Sequence, residues 1–334
     1  MSLGKKWSSK IQASLMALLI APALVASASA DAKDWSGWNI HVVDYPVSHG
    51  MEAFAAEVSE KTDGRLTSKV FHGGVLGSQP DAIEQTRLGI INFGVFSLGP
   101  MGQAVPEANV VSLPFIFKGV DQMHRLMDGE AGAAIGEGLA EKGIVALGYY
   151  DAGARSFYNS KKPINSPDDV AGLKVRVMNN DLFVGMVDSM GGNATPMAFG
   201  EVYTALQTGI VDGAENNPPS YESTNHFEVA GFYSMSEHLI IPECLCMSKR
   251  TWDELSAEDQ AIVQEAATNS VTLQRKLWAE REEASMNKLR DAGVQINTID
   301  DKSKFQAAME PVYAQFLEAN PELSDLVQLM RSSD

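Results

Sequence analysis

The chain has 334 residues, 45% of them apolar and 21% charged, with a formal net charge of −17. That length fits two domains or one large α/β unit, and the acidity argues against nucleic acid or an anionic membrane as partner. A small anion stays open as a ligand, because surface charge is screened beyond about 8 Å at physiological salt and a local arginine can govern a site.

Residues 1–30 stand apart. Lys5, Lys6 and Lys10 precede an apolar stretch from Leu15 through Ala26, and Ala28-Ser29-Ala30 supplies small residues before Asp31. This is the pattern of a cleavable secretory signal, with cleavage expected after about Ala30 and a periplasmic mature chain. The apolar stretch is shorter than the roughly 20 residues of a membrane-spanning helix. No later segment qualifies, and no Cys lies near the cleavage site to carry a lipid, so the mature chain is expected not to insert into a membrane. Losing the three lysines takes the net charge from −17 to −20.

Residues 38–44 (WNIHVVD) read as a first strand, broken at Tyr45-Pro46. A helix from about Ser48 to Lys61 follows, with Phe54, Ala55 and Val58 inward, and LTSKVFHG forms a second strand. Ser78-Gln79-Pro80 starts a helix that Gly89 ends, and IINFGVFS continues as a strand. Then come VVSLPFIF as strand and turn, helices near Asp121–Leu126 and Glu130–Lys142, and the strand IVALGYYD. Arg155 stands directly after that strand, near Tyr149, Tyr150 and Phe157. Ser166-Pro167-Asp168-Asp169 caps a short helix and leads into GLKVRV.

In that strand Leu173, Val175 and Val177 face one way and Lys174, Arg176 and Met178 the other. A guanidinium in a short apolar strand is costly to bury without an anion or several acceptors, so Arg176 asks for a partner. An ion pair or a solvent-facing edge is the plain alternative. TPMAF, a short helix and a strand ending in Glu215-Asn216-Asn217-Pro218 follow closely. The segment GEVYTALQT, Gly209 and IVDGAEN echoes the earlier helix, Gly89-Ile90 and strand, with Asn92 and Asp212 at matching positions. The echo suggests two domains of similar topology, each presenting strand ends to a shared cleft.

A strand near His238–Met247 holds the only cysteines, Cys244 and Cys246. Two residues apart in a strand they lack easy disulfide geometry, and without His or Cys companions they make a poor metal site, so buried thiols are expected. Ser256 starts a helix with Asp259 as capping-box acid. No Pro or Gly interrupts it to about Arg290, a reach of about 50 Å that could tie two domains together. VQINTID and helical segments around Phe305–Phe316 and Leu323–Met330 close the chain.

No G-x-S-x-G elbow, H-E-x-x-H pair, P-loop or complete G-x-G-x-x-G occurs, and the sequon Asn193-Ala194-Thr195 reads as a chance match in a turn. No cofactor and no catalytic activity are expected.

The GLKVRV strand, TPMAFGEVYTALQTGIVDGAENNP and SKRTWDELSAEDQAIV, behind an export signal, resemble the periplasmic solute-binding subunits of TRAP transporters, over essentially the whole mature chain. The resemblance implies an α/β, two-domain periplasmic-binding-protein fold with a central ligand cleft and a long helix spanning both domains. The domains would be residues 31–152 with about 242–280, and 153–241 with about 281–334. It implies a monomer that binds a small organic acid and hands it to the TRAP permease subunits. By family motif, Arg176 forks onto the ligand carboxylate, Arg155 contacts the same ligand, Asn216 offers an amide, and Phe199 packs on it.

Asp44-Tyr45-Pro46, GAENNPPSYEST and HFEVA resemble the hexuronate-binding subgroup, where Gln79, Asn217, His49 and Asp44 would serve ring hydroxyls. Gln79-Pro80 departs from the Glu-Arg or Glu-Lys pair of many relatives, so aldonates, C4-dicarboxylates and 2-oxo acids stay open. So does the use of the same fold as a sensor for a receptor kinase.

Overall fold

The computed structural model describes residues 33–332; the signal segment and its cleavage point lie outside the described residues. The first strand is not the apolar run at 38–44. β1 is Lys33–Trp38, which buries Trp35 and Trp38. Beyond Trp38 the backbone turns away because local polar groups capture it. The side chain of Asn39 accepts from the His41 amide at 2.9 Å, and the carbonyls of Asn39 and His41 accept from Gly74 and Gly73. Val42 and Val43 are left exposed.

Five strands form one sheet: β1, β2 (Leu66–Phe71), β3 (Phe93–Ser97), β4 (Ile144–Tyr150) and β10 (Glu243–Ser248), in the order β2-β1-β3-β10-β4. Six form the other: β5 (Ala154–Asn159), β6 (Lys174–Val177), β7 (Asn193–Pro196), β8 (Gly213–Asn216), β9 (Phe232–Ile240) and β11 (Gln295–Thr298), in the order β11-β9-β5-β8-β6-β7. The chain passes between sheets at Asp151–Gly153, at Ile241–Pro242 and again through the helical segment between β10 and β11. The described residues form one compact unit.

The internal echo is architectural. Helix Gln79–Arg87, capped by Ser78 with Asp81, reaches Gly89 at φ 79°, an exposed Ile90 and then β3. Helix Val202–Thr208 reaches Gly209 at φ 73°, an exposed Ile210 and then β8. Asn92 Oδ1 accepts from the Ser36 amide of β1 at 2.9 Å, and Asp212 Oδ2 accepts from the Lys174 amide of β6 at 3.0 Å. In each half a short polar side chain locks the neighbouring parallel strand in register. Consequently Trp38 opposite Gly94 in one sheet corresponds to Arg176 opposite Ala214 in the other.

Three further segments differ from expectation. VVSLPFIF holds a 3-10 turn at Val110–Ser112 rather than a strand. The sequon lies in β7 rather than in a turn. The stretch near His238–Met247 is two strands, since Pro242 lacks the N–H a continuous ladder requires. Cys244 and Cys246 are buried but joined in a disulfide, not free. The pairing of β10 with β4 shifts register between Leu245 and Cys246. That irregularity draws the two Cα atoms to 5.3 Å, within disulfide range.

The long helix runs Ala257–Asp291, 35 residues, or about 52 Å. Ser256 Oγ accepts from the Asp259 amide at 3.1 Å. The Asp259 carboxylate does not close the capping box but takes Arg65 by two bonds of 3.1 and 2.7 Å. The helix packs on Pro46–Lys61 and β4 beside the first sheet and on helix Pro218–Ser223 beside the second.

Candidate functional site

A cavity of ≈ 60 Å³ collects the ends of both sheets. The first contributes Ile40 and His41 after β1, Gln79 and Pro80 at a helix start, Ser97 at the end of β3, and Glu243 at the start of β10. The second contributes Arg155, Arg176, Met178, Asn216 and Asn217, with Met197–Phe199 following β7.

The two arginines are in different electrostatic states. Arg155 is clamped by Glu215, Nε to Oε2 at 2.6 Å and Nη2 to Oε1 at 2.8 Å, with further bonds to the Glu215 carbonyl and Asn216 Oδ1. Burial pulls the Arg155 pKa down, but the Glu215 charge and hydrogen bonds outweigh it and the net shift is upward.

Arg176 is 3% exposed, and its protein acceptor is a neutral one, the Met197 carbonyl, at 3.0 Å from Nε and 2.7 Å from Nη2. No carboxylate stands within ion-pair distance of it among the described residues. Its guanidinium lies 5.9 Å from the Phe199 ring centroid, in cation–π range. Desolvation, with a contribution from Arg155, lowers its pKa to about 10. Nη1 and part of Nη2 remain free to donate, the two-pronged geometry that suits a carboxylate.

The neighbours are poised by their own bonds. Asn216 Oδ1 accepts from Arg155 and from the Asn217 amide, which turns its Nδ2 outward as a free donor. Asn217 is largely committed: it caps helix Pro218–Ser223 through Oδ1, at 2.7 Å from the Ser220 amide, and gives Nδ2 to the Ala152 carbonyl. Gln79 donates Nε2 to the Ser97 carbonyl at 3.0 Å, leaving Oε1 as an acceptor.

Six of the eight sequence-selected residues, Arg176, Arg155, Asn216, Phe199, Gln79 and Asn217, line this cavity. Asp44 and His49 do not. They pair with each other at 3.3 Å, and Asp44 is 89% exposed, because the loop after β1 carries Asp44 outward and His49 stands on the exposed face of helix Pro46–Lys61. His41, Ser97 and Glu243 line the cavity and were not selected from sequence. Glu243 had the same signal as Arg176, a charged residue in a short apolar run (IIPECLCM).

Two sheets flanked by helices share a polar cavity holding a cation with no acidic partner among the described residues, an arrangement suited to a small anionic solute. The match to the model of bacterial extracellular solute-binding protein family 7 covers residues 40–320, and the chain belongs to that DctP family of TRAP solute-binding proteins. A solute-binding protein of Chromohalobacter salexigens is 56% identical over 315 residues, 94% of this chain and 93% of that protein. A TRAP periplasmic solute-binding protein of Sulfitobacter sp. NAS-14.1, solved with bound β-D-galacturonate, is 73% identical with a TM-score of 0.89. One from Roseobacter denitrificans with bound β-D-glucuronate is 60% identical with a TM-score of 0.90. Each of these two structures covers 90% of this chain and is itself covered over its full length.

Proposed function

We propose that this protein captures a hexuronate, galacturonate or glucuronate, by its carboxylate and delivers it unchanged to a TRAP permease. The observation that carries the reading is Arg176, a buried cation facing the cavity with free donors and no acidic partner among the described residues. A carboxylate meeting it forms charge-assisted bonds in a desolvated setting. Asn216 Nδ2 and the remaining Arg155 Nη1 hydrogen add donors, Phe199 offers an apolar face, and Gln79 Oε1 and the second Nδ2 hydrogen of Asn217 serve hydroxyls. Relatives at 73% and 60% identity hold uronates, which supports this choice of acid over C4-dicarboxylates.

The remaining parts of the reading go with it. The secretory signal is removed after about Ala30, and the mature protein works in the periplasm as a monomer. Residues 31–152 with about 242–280 act as one lobe, and residues 153–241 with about 281–334 as the other. Thermal-shift screening of the mature protein against uronates, aldonates, dicarboxylates and 2-oxo acids tests the ligand. A true ligand at 100 times its Kd adds about 2.7 kcal/mol of stability, and the absence of any shift with both uronates would overturn the assignment.

A further inference from the structure

The cavity holds a second charged group that the carboxylate clamp does not use. Glu243, the first residue of β10, is 7% exposed. Its Oε1 lies 3.3 Å from His41 Nε2, while its Oε2 has no hydrogen-bond partner among the described residues. His41 is itself fixed: its amide is held by Asn39 Oδ1, and its ring stacks on Tyr45 at 4.1 Å with 8° between planes. Glu243 therefore differs from Glu215, which is consumed by Arg155. It belongs to the first sheet, whereas Arg176 belongs to the second, so the open carboxylate oxygen of Glu243 and the Arg176 guanidinium enter the cavity from different sheets.

Resting on the uronate reading above, we propose that Glu243 is a specificity filter. Its carboxylate accepts a hydrogen bond from a sugar hydroxyl and repels any ligand with a second carboxylate at that end. A hexuronate clamped by Arg176 has its only charge at one end, and its remaining polar groups are hydroxyls, which donate well to a carboxylate oxygen. Oxidation at C1 gives a hexarate, ionised at both ends at neutral pH. Its second carboxylate meets Glu243 in a desolvated space, where like charges oppose each other strongly. Discrimination of this kind depends on a repulsive element more than on an added attraction.

The test is calorimetric titration of galacturonate and galactarate into wild-type and Glu243→Gln proteins. Wild type is expected to favour the uronate by roughly 100-fold or more, from the like-charge penalty together with the open-chain shape of the diacid, so the change of ratio in the variant isolates the charge. Glu243→Gln keeps the shape and removes the charge, and is expected to narrow that ratio at least 10-fold, with the diacid gaining in absolute affinity. A merely structural Glu243 would weaken both ligands alike and leave the ratio unchanged, which overturns the filter while leaving the uronate reading intact. Wild type binding galactarate as tightly as galacturonate overturns it without any variant. Failure of wild type to bind either uronate overturns the reading itself and the filter with it.

Discussion

Arg155 and Glu215 form a two-pronged ion pair at 2.6 and 2.8 Å, with Glu215 fully buried. That pair leaves Arg176 as the cavity's uncompensated cation and separates the two arginines by task. One is part of the scaffold, and the other has only the Met197 carbonyl as acceptor among the described residues.

Breaking the scaffold pair should therefore cost stability first. Glu215→Gln strands a buried guanidinium and is expected to lower unfolding free energy by about 3–5 kcal/mol, measured by urea titration of the unliganded protein. A loss below about 1 kcal/mol would mean that water reaches Arg155.

Arg176 should behave in the opposite sense. Arg176→Ala is expected to weaken uronate binding by about 2–5 kcal/mol, roughly 30-fold to several thousand-fold in Kd. Arg176→Met removes an unmatched buried charge and should leave the unliganded protein unchanged or more stable, by up to about 4 kcal/mol. Calorimetry and thermal unfolding on the same samples separate the two effects.

Glu282, on the long helix, has its pKa raised to about 7 by burial first and then by the charges of Asp151 and Glu237. The folded state therefore holds a proton between about pH 4.5 and 7 that the unfolded chain has released. Its stabilising contribution, about 3 kcal/mol by linkage, is fully present below pH 4.5 and lost as pH rises through 7. Glu282→Gln should flatten the fall in melting temperature between pH 5 and 8. An unchanged slope would count against the shift.

The Cys244–Cys246 disulfide closes a loop of three residues, so chain entropy gives it only about 1–2 kcal/mol. Thiol titration in denaturant should find no free thiols before reduction and two after it. The reduced protein should remain folded with a slightly lower melting temperature.

Much of this was legible in sequence, for reasons that differ by residue. Helix starts at Gln79 and Ala257 were readable because Ser78 and Ser256 carry their own capping chemistry. Arg176 was readable because a charge inside an apolar strand demands an explanation wherever it sits. β1 was misplaced because apolar periodicity in 38–44 competes with Asn39, whose side chain folds the backbone into a loop that no pattern of hydrophobicity encodes. The disulfide escaped because it depends on a register shift set by β4, more than 90 residues earlier in the chain. Asn92 and Asp212 stand out in sequence as an echo, but their shared task of holding a neighbouring amide depends on the pairing of the strands.

Where the chain leaves β4 for the second sheet, residue 151 has no strand beside it. The Gln274 side chain takes that place: its Oε1 accepts from the Asp151 amide at 2.9 Å and its Nε2 donates to the Asp151 carbonyl at 2.8 Å. An amide side chain thus acts as a surrogate peptide and rivets the crossover to the middle of the 35-residue helix. Just past this rivet come Ala152 and the left-handed Gly153 (φ 59°), and the return crossing runs through Ile241–Pro242. One glutamine outside the cavity lining thereby fixes where the crossover leaves the first sheet.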